Sequence, residues 1–243
     1  MTRLAPEFDD AAWLHGLTAF TTIRTKFGTP LLWTAHLERL KGTCAFLGLP
    51  DPVEAASELR PHLPSFPEGR LRLTVTSSGL RWSASELPRL PESVSRGVAA
   101  HVTTLRVHPQ FAAHKTGNYL PYVLALRAAH DAGTFEGLLL GEQGTVVDGS
   151  RTSFVLDVEG RLVVPIGGLP SVTRAELLRE LREPVEERFV DLRDLARTRR
   201  MWLAGSGVGV LPVSRLTWSD GGRDLDVACP SFDHPALRPP LEE

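Results

Sequence analysis

Four short apolar runs, Gly137 to Leu140, Val146 to Val147, Phe154 to Asp157 and Leu162 to Val164, follow one another with glycine-containing turns between them. Each run has strand length, and the turns come too often for a helix to continue through them. A helical pattern from Ser171 or Val172 to about Arg182 comes next, then strand patterns near Glu186 to Val190 and Met201 to Ala204. Clustered strands beside helices predict an α+β fold rather than a regular alternation of strand and helix.

The first hundred residues carry the same mixture. Ala19 to Arg24, reading AFTTIR, is rich in β-formers, and the turn Phe27-Gly28-Thr29-Pro30 separates it from Leu31 to Trp33, which predicts a hairpin. From Thr34, placed as an N-cap, Leu37, Leu40, Cys44 and Leu47 recur at helical spacing up to Gly48, and a second helix is expected over Pro52 to Leu59. In RLRLTVTS from Arg70, Leu71, Leu73 and Val75 share one face and Arg72, Thr74 and Thr76 the other, the pattern of a half-buried strand. Another strand is expected over Val98 to Val107. Asn118 and Pro121 suit a helix start and Gly133 its C-cap. The expected organisation is a small α+β domain over 1–104, a connection over 105–114 and a larger domain over 115–243.

Composition narrows the function classes. At 243 residues and 42% hydrophobic, the chain can bury a real core. Its formal net charge of -2 leaves no electrostatic footprint for nucleic acid, and basic runs such as Arg197, Arg199 and Arg200 read as solvated faces. No apolar stretch reaches the roughly 18 residues that span a bilayer. The early acids Glu7, Asp9 and Asp10 do not fit a secretory leader, so the cytoplasm is the expected location. Cys44 and Cys229 are far apart and form no metal-ligand spacing, so neither a disulfide nor a metal site is expected. Lysine occurs only at positions 26, 41 and 115, which narrows the search for any reaction that needs a primary amine.

Lys115 lies between a loop and a predicted helix start, in HKTGNYLPYVLALRAA. A lysine taken at random is a solvated surface residue. This one has companions: VVDGSRTSFVL, LPSVTRAELL and GSGVGVLPV follow it in order, and AFTTIR and HLERL precede it. GSGVG is not followed by a helix, so it is no dinucleotide fingerprint, and Ala204 breaks a G-x-S-x-G nucleophile motif. In order and spacing this set resembles the superfamily of branched-chain (class IV) aminotransferases and aminodeoxychorismate lyases, over about residues 16 to 213.

The resemblance implies a two-domain fold like that of D-amino acid aminotransferase, with pyridoxal 5'-phosphate (PLP) in the interdomain cleft, the larger domain binding it, and a homodimer acting on a small-molecule amine. Lys115 would form the Schiff base with the cofactor and later move protons. Tyr119 matches the tyrosine that bonds the cofactor's phenolic oxygen, although it could equally be an aromatic packed on the helix. Arg39 in HLERL and Ser206 match phosphate ligands. The N–H groups of Val172 and Thr173, at the start of a predicted helix, suit the same anion. Asp148 stands where the family has a glutamate beside the pyridine nitrogen, one methylene shorter, and could instead be part of a hairpin turn with Gly149. Ser153 stands where asparagine is frequent. Backbone amides near Gly207 and Val208 would meet the phosphate or a substrate carboxylate.

The substrate side decides the reaction. Phe20-Thr21-Thr22-Ile23-Arg24 resembles the FTT-x-R of the lyases more than the FEG-x-R or FET-x-R of many transaminases, and Thr22 matches the hydroxyl near the reacting carbon. Thr21 and Thr22 could also be simple β-formers. Arg24 and Arg81 are the candidates for substrate carboxylates, and the lyase's longer loop near Arg81 is shortened here. The leading expectation is a PLP-dependent 4-amino-4-deoxychorismate lyase giving 4-aminobenzoate and pyruvate for folate synthesis. The alternatives are a transaminase for a D- or branched-chain amino acid and, in view of Asp148 and Ser153, a cofactor-binding protein without useful catalysis.

Overall fold

The computed structural model describes residues 10–242, so Glu7 and Asp9 lie outside the described residues. The chain forms two compact units, Met1–Leu87 with His114–Tyr119, and Pro88–Ala113 with Leu120–Glu243. This division differs from the expected connection over 105–114. The chain leaves the second unit after Ala113, runs through His114–Tyr119 beside the first, and returns. No helix among the described residues is long and apolar enough to cross a membrane.

The first unit opens with α1 (Ala11–His15), whose N-cap Asp10 accepts from the Trp13 N–H. Then come β1 (Ala19–Lys26), β2 (Thr29–Pro30), α2 (Trp33–Leu47), α3 (Val53–Leu59), β3 (Gly69–Thr76) and β4 (Gly79–Glu86). The strands pair antiparallel in the order β2-β1-β3-β4. The apolar side of the β3 alternation packs as expected: Leu71, Leu73 and Val75 join Ala19 and Ile23 of β1 against Leu37, Leu40 and Cys44 of α2. Each fully buried leucine contributes roughly 1.5–3 kcal/mol.

The hairpin is shorter than the sequence predicts. Only Thr29 and Pro30 pair with β1, because Leu32 turns at a φ of 53° and Trp33 already begins α2. Thr34 is therefore inside the helix and exposed, and the N-cap position falls to Leu32, which makes no side-chain capping bond. β4 had no alternating apolar signature. It forms because β3 offers a full edge, from Gly69 opposite Glu86 to Thr76 opposite Gly79.

The second unit contains β5 (Val98–Arg106), α4 (Pro109–Ala112), α5 (Leu120–Asp131), β6 (Glu136–Leu140), β7 (Val146–Gly149), β8 (Ser153–Val158), β9 (Arg161–Pro165), α6 (Val172–Leu181), β10 (Val185–Arg188), α7 (Leu192–Arg197), β11 (Thr198–Gly205), β12 (Gly209–Trp218) and β13 (Gly221–Asp224). The sheet runs β10-β9-β8-β11-β12-β5-β6-β7, with β13 on β12. Most pairs are antiparallel. β5 is parallel to β6 and β12, and β9 to β10; α5 and α6 provide the crossovers that parallel pairs require. The central strand β8 is buried on both faces, Phe154 and Leu156 packing with Met201 and Leu203, and Val155 with Leu177 and Trp202. Such a sheet gives rigid strand ends from which loops can present functional groups.

Candidate active site

Lys115 is pinned through its backbone before its side chain is considered. Its carbonyl accepts from the Phe20 N–H at 2.8 Å, Thr116 bridges to Ala19, and the Gly117 N–H donates to the Thr18 carbonyl at 2.8 Å. A Cβ on Gly117 would come within 2.5 Å of the Gly16 carbonyl, so glycine is what lets this segment lie so close. The half-buried Lys115 side chain turns back along its own loop, and Nζ donates to the Tyr119 hydroxyl at 2.8 Å. The Phe20 ring, edge-on to Tyr119 with 5.1 Å between centroids, lies 4.8 Å from Nζ. The amine thus has the Tyr119 hydroxyl as a hydrogen-bond partner and two aromatic walls.

Strand register sets what shares the Phe20 face. Phe20 is opposite Thr74, Thr22 opposite Arg72 and Arg24 opposite Arg70, and Thr74 is in turn opposite Arg81. Directly opposed residues point the same way, so Phe20, Thr22, Arg24, Arg70, Arg72 and Arg81 belong to one face of the sheet. The four arginines are not equivalent. The buried Arg24 donates through Nε to the buried Glu68 at 2.7 Å, so its charge is already matched. Arg70 donates to the Ser85 hydroxyl at 3.3 Å, and Arg81 is exposed on β4. Arg72 lies with its guanidinium 3.7 Å from the centroid of the Phe20 ring, the ring that also flanks Lys115. The alternation of RLRLTVTS already put Arg72 on the polar face; only the register with β1 shows that this face is the one beside the lysine.

On the other side of β1, Thr21 is the hub of a buried relay from α2. Arg39 Nη2 donates to Thr21 Oγ1 at 3.0 Å, and Thr21 Oγ1 lies 2.9 Å from His36 Nδ1. Arginine can only donate, so Thr21 Oγ1 accepts from Arg39, and its second bond joins it to one nitrogen of the His36 ring. Burial first, then the charges of Arg39 and Lys115, pushes the His36 imidazole down from 6.5 to about 3. Arg39 is half-buried and turned toward β1, not a solvent-facing helix arginine. His36 carries no periodicity signal that distinguishes it from a packed helix residue.

The second unit gathers anion-binding and acidic groups. Asp148, buried on β7, accepts from the Gly149 N–H at 3.1 Å and from the Leu169 N–H at 3.3 Å, which ties it to the segment leading into α6. Ser171 caps α6 by accepting from the Arg174 N–H at 3.2 Å, as the predicted helix start requires. Val172 and Thr173 fall in the first turn, where backbone N–H groups have no partner within the helix. The Thr173 and Ser206 hydroxyl oxygens are 3.5 Å apart. Ser206, Gly207 and Val208 form the turn between β11 and β12, whose ends pair at Gly205 and Gly209. The Val208 N–H donates to the Gly205 carbonyl at 3.1 Å, which closes the turn. A Cβ at Gly207 would meet no heavy atom within 4 Å, so ligand could approach the backbone there.

A family model described as "Amino-transferase class IV" matches residues 18–216. The chain belongs to the class IV aminotransferase family. It is 30% identical over 220 residues to the "Probable branched-chain-amino-acid aminotransferase" of Thermotoga maritima, covering 81% of this chain and 76% of the relative. It is 25% identical over 249 residues to the "Aminodeoxychorismate lyase" of Vibrio harveyi, covering 90% of each. A crystal structure named "Putative 4-amino-4-deoxychorismate lyase" superposes with a TM-score of 0.78 at 44% identity, covering 88% of this chain and 89% of that one. As a member of this family, the chain is a PLP-dependent enzyme, which sets aside the reading of a binder without catalysis.

The donor set fits that cofactor. PLP presents an aldehyde, a phosphate and a ring nitrogen. The chain holds an amine fixed against a phenol, a ten-residue helix whose first turn sits beside two hydroxyls, and a buried carboxylate oriented by two backbone N–H donors. Bonds from the Gly149 and Leu169 N–H groups keep the Asp148 carboxylate from rotating freely.

Proposed function

We propose that the enzyme is a 4-amino-4-deoxychorismate lyase, which releases 4-aminobenzoate and pyruvate. The observation that carries the reading is the arginine face. The amine that would hold the cofactor and then deprotonate the substrate lies over Phe20, and the same ring is covered by the guanidinium of Arg72, with Thr22 directly opposite Arg72. That lining suits a substrate that carries carboxylates, and aminodeoxychorismate has two of them.

In this reading Lys115 binds PLP covalently, Asp148 partners the ring nitrogen, and Arg39, Ser206 and the N–H groups of Val172 and Thr173 hold the phosphate. Bound PLP draws electrons from the carbon that carries the amino group, which makes its proton removable. Lys115 Nζ, once released by the incoming amine, takes that proton at C4 of the substrate. The C–O bond to the neighbouring enolpyruvyl group breaks, the ring becomes aromatic, and the departing enolpyruvate takes up a proton at its methylene carbon to become pyruvate. Tyr119 orients the amine between these steps, Thr22 offers a hydroxyl near the reacting carbon, and Arg72, with Arg81 farther along the same face, holds carboxylate.

The relative from T. maritima supports a second reading, amino-group exchange between a branched-chain amino acid and a 2-oxo acid. Product analysis separates the two. Purified enzyme incubated with aminodeoxychorismate and no 2-oxo acid should yield 4-aminobenzoate and pyruvate in equal amounts; a requirement for 2-oxo acid, with no 4-aminobenzoate formed, rejects the lyase.

A further inference from the structure

Glu136 has no part in the chemistry above, yet it is a fully buried carboxylate with four hydrogen-bond donors. It sits at the start of β6 with no solvent exposure. Oε1 accepts from the Gly137 N–H at 3.0 Å, from the Ser150 N–H at 3.0 Å and from the Ser150 hydroxyl. Oε2 accepts from the Thr152 hydroxyl at 2.8 Å, with Arg151 Nε at 3.8 Å. One buried side chain therefore takes hydrogen bonds from Ser150 and Thr152 and pairs with the charge of Arg151, the three residues that follow the Asp148-Gly149 peptide.

That turn closes on itself through the Gly149 N–H to the Thr152 carbonyl at 2.9 Å, and the same Gly149 N–H is a donor to Asp148. Wherever residues 150–152 are held, the peptide that aims the Asp148 carboxylate is held too. A Cβ on Gly149 would come within 2.6 Å of the Thr152 carbonyl, so the turn has no slack to absorb a shift. Burying a carboxylate costs several kcal/mol unless its lone pairs are filled, and here they are filled entirely by this turn and by Gly137 of its own strand.

We propose that Glu136 is the positioning residue for Asp148: it clamps the 150–152 turn so that the Asp148 carboxylate keeps one orientation toward the cofactor's ring nitrogen. The proposal rests on the reading that Asp148 partners that nitrogen.

The test compares Glu136→Met, Glu136→Gln, Thr152→Val, Asp148→Asn and the double variant Glu136→Met with Asp148→Asn. Each is measured as apoenzyme titrated with PLP, by the pH profile of the bound cofactor's absorption band, and by kcat and KM. Glu136→Met removes every acceptor at similar length. It should weaken PLP binding about tenfold and lower kcat about 10- to 100-fold, with KM little changed and the absorption profile shifted in the same direction as in Asp148→Asn. Glu136→Gln keeps a carbonyl for the Gly137 and Ser150 N–H groups, so it should stay within about threefold of wild type. The double variant should be no worse than Asp148→Asn alone, because the clamp has nothing left to aim.

A Gln variant as damaged as the Met variant, additive losses in the double variant, or a Met variant that loses thermal stability while PLP affinity and kcat hold would each overturn the proposal. Should Glu136→Met fail to fold, Thr152→Val decides: an unchanged kcat and absorption profile overturns the clamp, and a roughly three- to tenfold loss in kcat supports it. If Asp148→Asn changes neither PLP affinity nor the profile, the role given to Asp148 is what fails, and the clamp falls with it.

Discussion

The first unit places its functional groups on side chains: Lys115, Tyr119, Thr22 and Arg72 stand on a loop and a sheet face, steadied by aromatic contact and strand register. The second unit places its groups in backbone and turns: helix N–H groups, a three-residue hairpin loop, and an acid aimed by the turn that follows it. Each has a buried titratable residue underneath, and the two are opposite in kind. His36 lies neutral beneath the cationic Arg39, whereas Glu136 fixes the turn that aims the acid. Side chains can be altered one group at a time, which under the proposed function suits groups that select substrate. Backbone groups cannot, which under the same proposal suits groups that hold a constant cofactor.

The sharpest break in that comparison is Lys115→Ala. It removes the amine proposed to carry the cofactor, so turnover should fall by more than about ten thousand-fold. The covalently bound cofactor band should vanish while phosphate-dependent PLP binding persists weakly through the second unit. A mutant that keeps the band would show that another amine carries the cofactor, and only Lys26 and Lys41 remain as candidates.

Arg72→Gln should act on one half alone. If Arg72 holds a substrate carboxylate, KM rises about 10- to 100-fold with kcat and PLP affinity nearly unchanged, the worth of one charge-assisted hydrogen bond. A transaminase substrate also carries a carboxylate beside its amine, so the rise tests the role of Arg72 and leaves the choice of reaction to product analysis. An equal fall in PLP affinity would mean that the division between the halves is false.

How much of this was legible beforehand follows the same division. Lys115, Tyr119 and Arg39 lie in motifs whose order along the chain could be matched, and the SVTR segment announced a helix start through Ser171. The arginine face was half visible, since alternation separates faces but cannot say which one meets the lysine. Glu136 was hidden because a carboxylate leading an apolar run reads as a strand end facing solvent, and only the turn 14 residues later satisfies it. The bond that closes the loop at Val208 was hidden for a related reason: glycines on either side grant the loop freedom, but which amide closes it depends on the pairing of β11 with β12. At Leu31 to Trp33 the short apolar run was equally compatible with strand and helix, and packing of α2 on the sheet decided it.

The smallest effect probes the two buried supports through pH. His36 has a folded value near 3 against an ordinary 6.5, so above 6.5 the ring is neutral in both states and costs nothing. As the pH falls below 6.5 the unfolded chain takes up a proton that the folded one refuses, and stability drops by up to about 1.4 kcal/mol for each pH unit until about 3. Glu136 runs the other way. Burial pushes its carboxyl above the ordinary range against the pull of Ser150, Arg151 and Thr152. Its relative contribution is therefore complete below the ordinary carboxylate value and is lost as the pH rises past it toward the raised one. Acid should thus loosen the first unit before the second. Urea unfolding at pH 6.5 and 5.5, read with amide exchange in each unit, should show a loss of about 1 kcal/mol concentrated in β1 and α2. His36→Asn keeps an acceptor for Thr21 but cannot titrate, so it should flatten that slope even if it lowers stability at neutral pH. A slope that survives in this variant assigns the acid sensitivity to groups other than His36.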